Sequence, residues 1–271
     1  MKLSSISLTL IGAGKMGGAM LAGWLERGLH PDNVTAIDPG LPDEMASMAK
    51  KHGFRFVSSA DQSGITDIVV VAVKPQILEK VLSGIRPVIG PDTTVVSVVA
   101  GKNIAVFQQI LGENCAIVRT IPNTPSQVGR GMTAGFASSN VSGETRAIVE
   151  ELLTVIGEFS WVENESLIDT ATAVSGSGPA YVFYLAECLA KAGVEAGMTS
   201  QMAEKFARQT VAGAGELLYH SDIPAAQLRQ NVTSPNGTTA EALAVLMADD
   251  GMLPLMTKAV AAAKRRSEEL S

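Results

Sequence analysis

Residues 233–239 read Thr-Ser-Pro-Asn-Gly-Thr-Thr, a polar turn caught between two helical stretches in LRQNVTSPNGTTAEAL (228–243). A plain connection between helices needs a Gly or a Pro; this one carries four hydroxyls and a Pro-Asn-Gly turn. Ser and Thr just ahead of a helix can cap it, and the unpaired N–H groups of its first turn suit a carboxylate. By itself the segment admits both readings, an elaborate cap and an anion pocket.

A second group stands near the start of the chain, where an apolar run ends in Gly12-Ala13-Gly14-Lys15-Met16-Gly17. A Gly-x-Gly-x-x-Gly between a strand and a helix is the dinucleotide fingerprint. Gly12 permits the tight turn, Gly14 lets a pyrophosphate approach the backbone, and Gly17 lets helix and strand pack closely. The N–H groups of the first helical turn, at Lys15 and Met16, then face the diphosphate. Asp38 closes the next strand, 21 residues past Gly17, near the spacing expected of a ribose-binding carboxylate. Taken alone, a carboxylate there accepts from both ribose hydroxyls of NAD and repels a 2′-phosphate.

Other segments follow later strands and should face the same cleft, since ligands of such sheets bind beyond the strands' carboxyl ends. They are Val73-Lys74-Pro75-Gln76, Val99-Ala100-Gly101-Lys102 and Pro122-Asn123-Thr124-Pro125. Lys74 suits either a phosphate or ribose contact or an ordinary solvated lysine. Asn123, stiffened by two prolines, is held as a group beside a nicotinamide would need to be, although a proline-rich turn reads the same way.

These residues need a scaffold that presents strand ends. Apolar runs at 6–11, 34–37, 55–57, 68–73, 94–99 and 116–119 alternate with helical periodicity at 16–27, 42–52, 76–85 and 103–111. That alternation predicts βαβ units in a doubly wound parallel sheet. A strand at 132–137, a helix at 143–156 and an edge strand at 159–162 extend it. Beyond residue 163 the strands stop, and helical windows cover 164–174, 179–196, 200–219, 224–231, 238–248 and 252–269. We therefore expect an α/β domain over 1–163 and an all-helical domain over 164–271, whose Ala- and Gly-rich surface suits a subunit interface.

Bulk properties narrow the class. With 46% apolar and 18% charged residues, the 271-residue chain can bury a sizeable core. A net charge of −6, with no basic run interrupted by aromatics, argues against nucleic acid. No apolar run is long enough to span a bilayer, and no signal-peptide pattern opens the chain, so a cytoplasmic protein is expected. Cys115 and Cys188 lack metal spacing and are read as buried free thiols, and no histidine has a ligand partner at metal spacing.

Together GAGKMGGAM (12–20), VKPQ (73–76), VVAG (98–101), PNTP (122–125), SGSGPAY (175–181) and VTSPNGTTAEAL (232–243) resemble the pyrroline-5-carboxylate reductase family over nearly the whole chain. The resemblance implies a Rossmann domain followed by an all-α dimerisation domain. It implies a homodimer that builds each active site from both subunits and often assembles further into a decamer. It also implies reduction of L-1-pyrroline-5-carboxylate to L-proline with NADPH, NADH being possible.

The same resemblance assigns Thr239 to the ring nitrogen. Ser234 and the N–H groups of Gly237 and Thr238 fall to the substrate carboxylate, and Asp222 to a position near the substrate. Pro122 and Asn123, with Ser175, Gly176 and Ser177, line the nicotinamide end. Gly12 to Gly17, Asp38, Val73, Lys74, Pro75, Ala100 and Gly101 are the remaining cofactor contacts. An iminium needs no strong acid, which agrees with the lack of a convincing catalytic His or Lys. Two other readings compete. A 3-hydroxyacid dehydrogenase would need a lysine base, for which Lys191 is the candidate, and a redox sensor would need no second-substrate pocket.

Overall fold

The computed structural model describes residues 3–40 and 42–271; Met1, Lys2 and Leu41 lie outside the described residues. Eight strands form one sheet: β1 (Leu8–Ile11), β2 (Val34–Ile37), β3 (Arg55–Val57), β4 (Ile68–Val71), β5 (Thr94–Ser97), β6 (Ala116–Ile121), β7 (Gly131–Ala137) and β8 (Gly157–Trp161). They run in the order β3-β2-β1-β4-β5-β6-β7-β8. Every neighbouring pair is parallel except β6 and β7. The order turns back between β1 and β4, the switch point beyond which such sheets bind ligands.

Both faces of the sheet are covered, which is why its central strands are mostly apolar and buried along their whole length. Leu8, Leu10, Ile68 and Val70 pack on one side with Met20 and Trp24 of α1 (Lys15–Glu26) and with Val149 and Leu152 of α5 (Gly143–Leu153). Ile11, Val69, Val71 and Val95 pack on the other with Leu78 and Leu82 of α3 (Leu78–Gly84) and Phe107 of α4 (Ile104–Leu111). The period of two along each strand sends alternate residues to opposite layers. Trp24 also donates its indole N–H to Leu152 O at 2.6 Å, tying α1 to α5. Truncating so deeply buried a ring costs about 3–5 kcal/mol.

Helix α2 (Asp43–His52) completes the first half, and α6 (Ser166–Ala171) follows β8 and runs straight into a π-helical turn at Thr172–Gly176. The chain forms two compact units, one of residues 1–176 with 264–271 and one of 177–263. The first unit extends past the boundary read at 163 because α6 packs on the sheet: Ile168 is buried with Ile121 and Ala134. The matching tail, Lys264–Ser271, is the end of the last helix.

The second unit holds α7 (Gly178–Glu195), α8 (Ser200–Tyr219), α9 (Ala225–Asn231), α10 (Thr238–Leu246) and most of α11 (Met252–Leu270). Thr199 caps α8 by accepting from the Met202 N–H. Gly193 lets α7 approach α8, since a Cβ there would stand 3.3 Å from the Ala203 Cβ. Only Ala203 and Ala207 are buried in this unit, while Phe183, Tyr184, Leu217, Val245, Leu253 and Leu255 are more than half exposed. So large an uncovered apolar surface marks an interaction face.

The two cysteines differ from the sequence reading. Cys115 is half-buried just ahead of β6, where burial pushes its thiol pKa up, and Cys188 is exposed on α7. No helix among the described residues is long and apolar enough to cross a membrane. No His, Cys, Asp and Glu cluster among them could hold a metal.

Candidate active site

The glycine loop leaves β1 with Gly12 at φ +97°, a left-handed conformation that L side chains avoid. A Cβ there would also press within 2.6 Å of Ala72 O, so Gly12 is required by the fold itself. Gly17 likewise allows α1 to close against the loop, its missing Cβ facing the Gly12 carbonyl. Gly14 is different. It is the exposed N-cap of α1, and a Cβ built there would meet nothing within 4 Å. No acidic residue occupies the first turn of α1, and no side chain caps it. The exposed backbone at Gly14 and the first-turn N–H groups thus form an open cradle for an anion, and a diphosphate fits it. Lys15 is exposed and Met16 half-buried at its edge.

Asp38 ends β2 half-buried beside this loop. Its Oδ2 accepts from the Ala13 N–H at 2.8 Å and its Oδ1 from the Gly40 N–H at 2.9 Å. The carboxylate is therefore a brace between the glycine loop and the end of β2, held in one orientation beside the position a ribose would take. Sequence spacing pointed to the ribose and missed the brace.

Val73, Lys74 and Pro75 follow β4, Val73 half-buried and the other two exposed. Ala100 and Gly101 follow β5, with Gly101 at φ +70° and the position of its absent Cβ 3.2 Å from the Leu270 Cβ. Pro122 is buried at the end of β6. Asn123 next to it is fully engaged: its Nδ2 donates to Ser175 O at 3.2 Å and Ser175 Oγ at 3.1 Å, and its Oδ1 accepts from the Met132 N–H at 2.9 Å. Asn123 thereby fastens the loop after β6 to the π-helical turn that carries Ser175.

The second unit holds the polar turn. Asn236 stands at φ +57°, the only non-glycine residue with positive φ among the described residues. Asn tolerates that conformation better than most residues. Of the two readings left open for this turn, the side-chain cap is not the one observed: the N-cap of α10 is Gly237, with no side-chain hydrogen bond. Thr233 instead donates to Arg229 O at 2.7 Å, finishing α9. The Gly237 N–H, read from the resemblance as a carboxylate contact, closes the turn on Ser234 O at 3.0 Å. Hydrogen bonds recorded among the described residues leave the N–H groups of Thr238 and Thr239 unspent, together with the hydroxyls of Ser234, Thr238 and Thr239. Asp222 is exposed in the loop between α8 and α9.

A lysine base is not supported. Lys191 is exposed on α7 and bound to Glu187 at 2.6 Å. That hydrogen bond and charge push its pKa up, the reverse of what a general base needs at neutral pH.

A family model described as pyrroline-5-carboxylate reductase dimerisation matches residues 165–270, and one described as NADP oxidoreductase, coenzyme F420-dependent, matches residues 7–101. The chain is 35% identical to a pyrroline-5-carboxylate reductase of Pseudomonas aeruginosa over 270 residues, covering 99% of this chain and 98% of that one. The chain belongs to the pyrroline-5-carboxylate reductase family. The Escherichia coli member is 36% identical over 263 residues, 96% of this chain and 97% of that one. The structure of the Coxiella burnetii member superposes with a TM-score of 0.90 at 33% identity, covering 98% and 99% of the two chains. That of the Plasmodium falciparum member, solved with NADP bound, gives 0.79 at 30% identity, covering 99% of each. The α/β sheet followed by a helical region is thus the architecture of the family. The polar turn lies inside the dimerisation match, and the glycine loop, Asp38 and the loops after β4 and β5 inside the NADP oxidoreductase match.

Proposed function

We propose that this protein reduces L-1-pyrroline-5-carboxylate to L-proline with NADPH, NADH serving as an alternative. The observation that carries the reading is the start of α10, where two backbone N–H groups and three hydroxyls are grouped on one turn and none is consumed by capping. Such a group fits a small carboxylate joined to a ring nitrogen better than it fits a helix connection.

The roles follow from the atoms. The Thr238 and Thr239 N–H groups and the Ser234 hydroxyl bind the substrate carboxylate, with Gly237 giving the turn its shape. The Thr239 hydroxyl holds the ring nitrogen, where the reduction requires one proton. Asp222 lies at the edge of the same pocket. Gly12, Ala13, Gly14, Lys15, Met16 and Gly17 hold the diphosphate, and Asp38 the adenosine ribose. Val73, Lys74, Pro75, Ala100 and Gly101 line the path onward, and Pro122, Asn123 and Ser175 its nicotinamide end. The dinucleotide, when bound, would supply the hydride for the imine carbon, the ring carbon double-bonded to nitrogen. The protein's share is to fix both partners and to exclude water, which suits a reaction that needs placement rather than a strong acid.

The uncovered apolar face of the second unit supports a homodimer formed through a helical domain that we place at 164–271, and the resemblance adds a decamer of five such dimers. A cytoplasmic location, with neither nucleic acid nor membrane as partner, belongs to the same proposal. The test is a spectrophotometric assay with pyrroline-5-carboxylate. Loss of reduced-nicotinamide absorbance matched one-to-one by L-proline is expected, and no loss with either dinucleotide would overturn the reading.

A further inference from the structure

Below the loop after β6 lies a buried cluster that none of the roles above uses. Arg119, near the end of β6, has a side chain only 3% exposed and pairs with Asp169 of α6 at 3.0 Å and with Glu165 at 3.2 Å. Glu165 also accepts from the Ile104 N–H at 2.7 Å, so it anchors the start of α4. Asp169 Oδ1 takes a further hydrogen bond from the Ser267 hydroxyl at 2.8 Å, and Ser271 Oγ lies 3.3 Å from both Asp169 Oδ1 and the Arg119 guanidinium. Leu270 packs beside Gly101. The tip of α11 is therefore fastened at the carboxyl ends of β5 and β6.

A buried ion pair is a poor way to gain stability, because desolvation offsets most of the attraction. Its geometric effect is larger here. Four residues after Arg119 the chain reaches Asn123, and six after Asp169 it reaches Ser175. The Arg119–Asp169 pair and the Asn123–Ser175 hydrogen bonds are thus two rungs between the same two segments. Between the rungs lies a π-helical turn, a conformation rare in helices and frequent at functional sites. Shifting the lower rung moves the upper one.

We infer that Arg119, Asp169 and Ser267 form a positioning device that sets the Asn123–Ser175 junction, so that the tip of the last helix governs turnover without touching substrate or cofactor. The inference rests on the proposed reaction for its kinetic readout alone. Arg119 and Asp169 are too deeply paired to replace cleanly, so the test uses Ser267, the outer member. A lost hydrogen bond to a carboxylate is expected to relax the bracket without unfolding it.

The experiment compares the full-length wild type with Ser267→Ala and Ser267→Thr, each also combined with Asn123→Ala. Ser267→Ala should lower kcat for the imino acid about threefold to thirtyfold, leave the dissociation constant of NADPH within about twofold, and be rescued by Ser267→Thr. In the Asn123→Ala background the same change should have no further effect, because the rung it acts through is gone. A merely structural role would instead lower the melting temperature and leave kcat unchanged, or give additive losses; either result overturns the inference. The Asn123 side-chain amide supplies a readout independent of turnover. Its NMR signals should shift and exchange faster with solvent in Ser267→Ala, and unchanged signals also overturn the inference. A wild type inactive on the imino acid but with a responsive Asn123 amide would sink the proposed reaction and leave the bracket standing.

Discussion

The glycine loop contains two glycines kept for different reasons, and a pair of variants separates them. Gly12→Ala forces an L residue to φ +97° and sets its Cβ within 2.6 Å of Ala72 O. Left-handed backbone costs roughly 1–2 kcal/mol for a non-glycine residue, and a Cβ that close to a carbonyl oxygen adds more. For a unit of this size each kcal/mol lowers the melting temperature by about 2–4 °C. Gly12→Ala should therefore melt at least about 4 °C below wild type. Gly14→Val places its side chain where nothing lies within 4 Å, on backbone at φ −75° and ψ −171° that a β-branched residue adopts readily. Its only fold cost is a poorer N-cap, about 1 kcal/mol. Dinucleotide affinity should fall at least a hundredfold, because the side chain fills the space a diphosphate needs. Calorimetric melting and titration of NADPH fluorescence measure both quantities on the same samples. A Gly14→Val protein that binds NADPH as tightly as wild type, or that melts as early as Gly12→Ala, would show that the two glycines do not have separate roles.

Three further outcomes follow from the same geometry. Thr239→Ala should lower kcat roughly tenfold to a thousandfold with NADPH affinity intact, and stopped-flow single turnovers that run at the wild-type rate would exclude its role at the ring nitrogen. Asp38→Ser should shift affinity about tenfold toward NADPH relative to NADH by removing a fixed negative charge. The same change lowers the melting temperature, because the Ala13 and Gly40 N–H groups lose their acceptor; equal affinity ratios in variant and wild type would show that another group sets the preference. Phe183→Asp combined with Leu217→Asp, at two of the large exposed side chains of the second unit, should turn a dimer into a monomer by sedimentation velocity. An unchanged sedimentation coefficient would place the interface elsewhere.

Much of this architecture is readable in the chain because the signals are local. β1, β2, β4 and β5 are buried on both faces and so appear as short, mostly apolar runs, unbroken in β4, and Gly12 to Gly17 carry their spacing within a single turn. What stayed hidden depends on distant partners. Arg119 meets Asp169 and Asp169 meets Ser267 across 50 and 98 residues, and no spacing rule joins them. Asn123 could be read as a stiffened loop residue, but its bonds to Ser175 lie 52 residues away. The sequence reading ends a helical window at 174, inside the π-helical turn at 172–176, because no residue pattern distinguishes a π turn from the end of an α-helix. At 233–239 the sequence left a cap and an anion pocket both open, and no side chain caps α10. Thr233 binds an acceptor in the helix it ends, while the hydroxyls of Ser234, Thr238 and Thr239 are left unspent, and that is the property that makes the segment a candidate substrate site.

The most direct test of the account follows the transferred hydride. Pyrroline-5-carboxylate is incubated with the protein and NADPH carrying deuterium at the transferable position of the nicotinamide, and the product is analysed by mass spectrometry and NMR. L-proline with a single deuterium on Cδ, the carbon that was double-bonded to nitrogen in the imine, is expected. Proline without that deuterium, or no proline at all, would contradict the account.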